Sequence, residues 1–430
     1  MYKSSQKKNC RTGIWMLVCL LMTILQMVTL TSCSDDNDEI EQPEPVTRPA
    51  FVTDSVRYEK EKAWAYNIQY PSTDPYGKPV MLSGTITIGD EVSADKHACG
   101  MLLYNHYTVY RANQCPSKGN LTVEKIVCGS GLITVSADYY GFGVTESQPQ
   151  AYCISSVNAQ ASVDALLAAR QLLKARGYTW DDTLFNLGYS QGGQTTIAVV
   201  RLVTEKYPDV RFTYSFAGAG SYDLPETYRQ FIKSGSTAMP STVISVMLAY
   251  NEFFQLGIPR TDLFVQPTLG HIDEWILSKR YTREEIDSKI GTQEIAGFVT
   301  PAMLDLNSDI SRKMLEALDK DNLCKGWTPR KDERIYLFHN TLDRTVPVAN
   351  TENLSAFFKQ QGCENVSTVY GEYETLSGKI PPHEVGALFF ALDVAQIVCD
   401  TLNIELWFEI TPDLLRGEGD SSVWSLEFGV

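Results

Sequence analysis

Four short apolar runs, each ending in small or polar residues, limit what this chain can fold into: "CGMLLYNHY" from Cys99, "GLITVSADYYGFG" from Gly131, "TLFNLGYS" from Thr183 and "FTYSFAGAG" from Phe212. A strand with one wet face alternates apolar and polar residues, so unbroken runs of this length suit strands buried on both faces of a parallel sheet. Between the second and third runs, "ISSVNAQASVDALLAARQLLKARGY" sets Ala161, Ala165, Ala168 and Leu172 at helical spacing. Strand, helix, strand in that order predicts an α/β crossover sheet, mostly parallel and flanked by helices. The rhythm returns at "RIYLFHNTLDRTVPV" from Arg334, then a helix "TENLSAFFKQQG" and a strand "VSTVYGEY". A last helix follows "PPHEVGALFFALDVAQIV", with Leu388, Leu392, Ala395 and Cys399 as its stripe.

The folded part begins near Phe51. "WAYNIQY" and "VMLSGTITI" alternate with period two around the turn residues of "PSTDPYGKP", which predicts an antiparallel hairpin. From Pro225 to about Trp327 the pattern is helical, as in "STVISVMLAYNEFFQLG" and "SDISRKMLEALDK", with no convincing buried strand. The expected organisation is a core from residues 51–224 and 331–430, the latter with a C-terminal tail, and a helical cap or lid insertion at 225–330.

The N-terminus reads as an export signal over residues 1–32. Lys3, Lys7, Lys8 and Arg11 precede an apolar stretch from Ile14 to Leu30. It ends in "LTSC", which resembles the lipobox of bacterial lipoproteins and implies lipidation at Cys33; a plain membrane anchor is the alternative. Residues 33–50, acidic and then proline-rich, read as a solvated tether. An acidic run directly after that cysteine also resembles the surface-export signal of Bacteroidetes lipoproteins, implying an outer-membrane protein that faces outward.

Loss of residues 1–32 removes four basic and no acidic side chains, taking the formal charge from -15 to -19. Such an anionic surface repels phosphate backbones and argues against nucleic acid as a partner. The mature chain keeps Cys99, Cys115, Cys128, Cys153, Cys324, Cys363 and Cys399 besides Cys33, with no CxxC pair and no zinc spacing. In an oxidising compartment one or two disulfides are plausible, Cys115 and Cys153 being the most loop-like positions.

Ser190 lies in "GYSQG", between a strand that should end at Gly188 and a helix that starts after it. A serine on so sharp a turn needs glycine at minus two and plus two, and Gly188 and Gly192 supply them. The turn places the Gln191 amide at a helix start, where it can stabilise an oxyanion. The bland reading of Ser190 is a helix N-cap. A serine nucleophile needs a base. Of the five histidines, His97, His106, His271, His339 and His383, three follow Ser190. His383, after the last strand, is preferred, with His339 the runner-up and His271 inside the insertion. Asp343, in the loop after the preceding strand, is the candidate acid that would hold the imidazole tautomer; Asp332 and Glu333 come too early. A second oxyanion donor is expected from the backbone of His106 or Tyr107, while the His106 ring reads equally as packed.

Together "SADYYGFG", "GYSQGGQ", "AGAGSYDL" and "HNTLDRTVP" resemble the α/β-hydrolase superfamily, in its secretory lipase and related esterase branch. The resemblance covers most of Phe51 to Asp400 and implies the α/β-hydrolase fold. It also implies hydrolysis of a small-molecule ester, on a lipid, a glycan or a xenobiotic, through an acyl-enzyme with no metal or organic cofactor. By the same analogy Asp138 supports loops beside the site, a structural turn being the equal alternative. Phe253, Phe254, Leu256 and Phe264 of the insertion are candidates to line an acyl pocket. A serine peptidase on the same fold and a non-catalytic surface binding lipoprotein are the competing readings; fold alone separates none of them. Oligomeric state is not legible in the sequence.

Overall fold

The computed structural model describes residues 49–59, 62–119, 128–376 and 380–404. The expected signal segment, most of the tether with Cys33, and the tail beyond residue 404 lie outside the described residues.

Among the described residues one nine-stranded sheet organises the chain. Its strands are β1 Phe51–Tyr58, β2 Ala63–Thr73, β3 Pro79–Gly89, β4 Gly100–Asn105, β5 Leu132–Ala137, β6 Leu184–Tyr189, β7 Tyr214–Gly218, β8 Ile335–Asn340 and β9 Val366–Gly371. Their spatial order is β1-β2-β3-β5-β4-β6-β7-β8-β9. The first three strands and the β3–β5 pair are antiparallel, so β2 and β3 form the hairpin read from sequence and β1 adds an edge strand. From β5 onward every pairing is parallel.

The longer helices are α1 Ser155–Ala175, α2 Gln191–Lys206, α3 Leu224–Ser234, α4 Pro240–Phe253, α5 Arg283–Ile290, α6 Asp309–Lys320, α7 Ala349–Gln360 and α8 Pro382–Leu402. Helices α1, α2 and α7 join a core on one face of the sheet, and α8 packs through Phe390 and Val394 on the other. The unbroken apolar runs follow from this sandwiching. In β4, Met101 and Leu103 point to the first face and Leu102 and Tyr104 to the second; in β8, Leu337 and Phe338 divide in the same way. Small residues on α1, among them Ala161, Ala165 and Ala169, are fully buried and let that helix lie close.

Strands β4 and β6 are neighbours, and the connection leaving β4 runs to β5 on one side while that leaving β6 runs to β7 on the other. A crevice opens outside the carboxyl ends of the strands at such a switch point, and ligands of open α/β sheets bind there. Helices α3 to α6 follow β7 and precede β8. They sit above that end of the sheet, as the polar contacts described below show.

Cys115 and Cys153 are free thiols, so no disulfide is met at the two loop-like positions. Cys115 is buried against Val109 and Phe142, whereas Cys153 sits under the insertion beside Ser221. The two loop-like positions pack into separate places.

Candidate active site

Ser190 stands between β6 and α2 with φ 59° and ψ −122°, a conformation that costs a non-glycine residue about 1–3 kcal/mol and persists only when its surroundings impose it. They do so through backbone. A Cβ on Gly188 would lie 2.2 Å from the Gly192 carbonyl oxygen, and one on Gly192 would lie 2.1 Å from the Asn105 carbonyl oxygen, both inside van der Waals contact. The Ser190 N–H donates to Gly218 O at 2.9 Å, tying the turn to β7. The Ser190 hydroxyl makes no capping bond to α2.

Instead Ser190 Oγ lies 2.9 Å from His383 Nε2, and His383 Nδ1 lies 2.5 Å from Asp343 Oδ2. Since a carboxylate only accepts, Nδ1 carries the proton and Nε2 is left to accept from the serine. His383 is the second residue of α8 and is buried, as is Asp343. Asp343 Oδ1 accepts from the Thr345 and Val346 amides at 2.7 and 3.0 Å, which fixes the carboxylate's rotation.

Burial opposes charge on both partners. For His383 burial alone would lower the pKa, but the Asp343 charge and hydrogen bond, with Glu384 behind them, outweigh it and hold the imidazole above its ordinary 6.5. For Asp343 burial would raise the pKa; the His383 charge and hydrogen bond, His339 and the Val346 amide hold it below 3.8. The carboxylate is therefore ionised wherever the histidine is neutral.

Two supports were not read from sequence. Asn340, at the end of β8, donates to both the Tyr373 and Pro382 carbonyls at 2.7 Å, holding the start of α8 beside the Asp343 loop. Tyr189 donates its hydroxyl to His383 O at 2.7 Å. The signal available was position alone: each ends the strand that leads into a candidate residue.

The other sequence candidates fall elsewhere. His339 accepts from Thr351 through Nδ1 at 2.7 Å and donates from Nε2 to Val346 O at 2.9 Å. Burial lowers its pKa, so it buttresses the Asp343 loop as a neutral ring. His271 pairs with Glu274 at 3.1 Å on an exposed helix. Asp332 pairs with Arg211 and Glu333 with Arg330. The His106 ring is buried, stacks on Tyr139 at 4.1 Å and donates to Tyr107 O at 2.7 Å. It is packed, as one of its two readings had it. The backbone around His106 is a different matter, since a Cβ on Gly192 would also come within 3.0 Å of His106 O. The end of β4 thus runs directly against the start of α2, where Gln191 is the first residue. Asp138 accepts from Ser117 N at 2.8 Å and from the Ser83 and Ser117 hydroxyls at 2.5 Å. It clamps the loop after β4 to β3, so the supporting reading holds.

A cleft of about 660 Å³, counted out to its mouth, opens beside Ser190 and Gln191. Its apolar wall comes from Leu224 and Phe231 of α3, Val246 and Met247 of α4, and Met314 and Leu318 of α6. The four residues expected to line it do not. Phe264 is buried in the core, Phe253 packs on Tyr76 and Tyr140, Phe254 stacks on Tyr250 and Leu256 packs against the core. They lie at or beyond the end of α4, past the Val243, Val246 and Met247 stripe that faces the cleft.

Among solved structures, the rice cell wall degrading esterase LipA from Xanthomonas oryzae superposes with a TM-score of 0.69 at 19% identity, covering 83% of this chain and 98% of that one. Candida antarctica lipase A in its closed state superposes with a TM-score of 0.61 at 15% identity, covering 85% and 88%. At these identities the likeness is one of fold, the α/β-hydrolase fold. No curated protein matches the sequence. The sequence model of the secretory lipases matches residues 121–382, more than half of the chain. The chain belongs to the secretory lipase family and is a carboxylic ester hydrolase.

Proposed function

We propose that ester cleavage proceeds through an acyl-enzyme on Ser190, with His383 as the general base and acid and Asp343 as its orienting carboxylate. The observation that carries this is the hydrogen-bonded chain from Ser190 Oγ through His383 to Asp343. Ser190 Oγ bonds to the ester carbonyl carbon as its proton passes to His383 Nε2, and Asp343 stabilises the imidazolium. The carbonyl oxygen becomes an oxyanion held by the Gln191 N–H and by a backbone N–H of the His106–Tyr107 loop. Collapse expels the alcohol with the proton from His383. Water then attacks the acyl carbon as its proton passes to the same nitrogen, and collapse of this second intermediate breaks the bond to Ser190 Oγ, which takes that proton back from His383 as the carboxylic acid leaves.

The substrate is a small-molecule ester with an apolar group that enters the cleft walled by α3, α4 and α6. Residues 225–330 form the cap that shapes this cleft over the two core parts. The basic and apolar N-terminus and the "LTSC" run support export and anchoring through lipidated Cys33, and the acidic run after it supports an outer membrane with the site facing outward. Ser190→Ala should abolish turnover of p-nitrophenyl esters and labelling by a fluorophosphonate probe; undiminished turnover in that variant refutes the mechanism. Metabolic palmitate labelling that persists in Cys33→Ala refutes the anchor.

A further inference from the structure

Helix α5 of the insertion opens with Arg283. Its Nη2 lies 3.0 Å from Oε1 of Glu384, the residue that follows His383 in α8, and 2.5 Å from Oε1 of Glu284. The two side chains of the Arg283–Glu384 pair are 23% and 20% exposed, so water screens the pair only in part. Glu384 Oε2 is buried with no hydrogen-bond partner among the described residues. Arg283 is thus the group that balances this carboxylate.

The charges facing His383 are few. Asp343 approaches from the loop after β8. His339 lies behind it and is kept neutral by burial. Tyr189 of β6 has its phenol pKa raised, so it too is uncharged. Glu384 comes from His383's own helix and Arg283 from α5. With Asp343 ionised, a second unbalanced carboxylate would favour the imidazolium in the resting enzyme, and a base that already holds a proton cannot take one from serine.

We propose that Arg283 is a positioning residue for the base: through its ion pair with Glu384 it reaches from the insertion to the start of α8 and offsets the second carboxylate that would otherwise favour a protonated His383. This rests on the reading of His383 as the general base. Glu384 and Arg283 act on the imidazole with opposite signs, the first raising and the second lowering its pKa. The insertion then sets the chemistry of the site as well as its shape.

The pH profile of kcat/KM on a p-nitrophenyl ester tests it in the full chain. Arg283→Gln should move the acid limb up, and Glu384→Gln should move it down, each by about 0.5 or more. The double variant should return close to the parent, as should Arg283→Lys, which keeps the charge. Loss of kcat or of Tm with an unmoved limb, or shifts of the same sign in both single variants, overturns the proposal. If Arg283→Gln fails to fold, Glu384→Gln carries the test, with its His383 titration followed by NMR. The profile of His383→Asn separates the two claims: turnover there with the parental acid limb sinks the base assignment itself, whereas its loss leaves the limb shifts to decide the role of Arg283.

Discussion

Around Ser190 the chain is held backbone against backbone, whereas the insertion meets the core mainly through side chains, apolar ones in a shared hydrophobic cluster and a few charged ones. At the turn, Gly188, Gly192 and Gly193 each leave less than 2.5 Å between an added Cβ and a carbonyl oxygen. The insertion reaches the core through the Lys279 ammonium, which donates to the carbonyls of Gly141, Glu146 and Gln148 and whose pKa is pushed down by burial to about 8. It is also joined through buried Asp321, which accepts from the Ser155 amide and the Tyr250 hydroxyl, and through Arg283. Close backbone packing admits one geometry, while side-chain contacts admit substitution. The first suits a reacting centre placed to within tenths of an ångström and the second a pocket that varies.

The comparison breaks first, and by the most, if removal of the hydroxyl alone does not stop the chemistry. Ser190→Ala should lower kcat by roughly 10⁴-fold or more while leaving Tm nearly unchanged, since the positive φ is imposed by neighbours that remain. Parallel assays of turnover and thermal unfolding read both. A large fall in Tm would mean that the serine, rather than the backbone around it, holds the turn.

Asp343→Asn should follow, costing about 10³ to 10⁴ in kcat. The residual activity carries a sign. In the parent, His383 must be neutral to act, and its pKa is raised, so the acid limb of kcat/KM should lie above 6.5. Without the carboxylate, burial is the largest influence left, and the limb should fall. Stability moves with the same pair. The raised His383 contributes at pH below its unfolded value and loses that contribution as pH climbs through its folded pKa. Asp343, held below 3.8, contributes above that value and fails as pH drops through its folded pKa. A limb that stays in place in Asp343→Asn would detach the acid from the base.

Glycine substitutions compare the two regions directly. Gly192→Ala pushes a methyl into the Asn105 carbonyl at 2.1 Å; with that backbone on the side proposed to hold the oxyanion, activity should fall by about 10²-fold, the cost of a roughly 1 Å displacement. Gly235, at the end of α3, has φ 70° with open space around it. Gly235→Ala should cost about 1 kcal/mol of stability and leave kcat unchanged. Equal losses of activity in the two variants would erase the distinction between turn and insertion.

The same distinction explains what sequence could reveal. The crossover sheet was legible because burial on both faces writes itself as continuous apolar runs such as Leu102 to Tyr104, and the Ser190 turn because backbone crowding admits only glycine. His383 and Asp343 were reachable through strand order, each following a strand end. Asn340 and Tyr189 were not, because their value depends on carbonyls more than thirty residues away. The cleft was misread for a related reason. Phe253, Phe254 and Phe264 are as apolar as Val246 and Met247, and only the placement of α4, with its middle turns over the opening and its end beyond it, decides which side chains face the cleft.

That placement supplies the smallest and most selective effect. Val246 and Met247 face the cleft from α4, opposite Met314 and Leu318 of α6, so a larger side chain at Val246 shortens the space without touching the Ser190 turn. Val246→Phe should reduce kcat/KM for an octanoyl ester about 10-fold relative to an acetyl ester, the discrimination an apolar pocket gains from a few methylenes. Phe254→Leu, which alters a ring stacked on Tyr250 and away from the opening, should lower Tm and leave the octanoyl to acetyl ratio alone. A panel of p-nitrophenyl esters from two to twelve carbons reads both. If the ratio moved with Phe254 and not with Val246, the acyl group would lie at the far end of α4, and the wall of α3, α4 and α6 would face something other than the substrate.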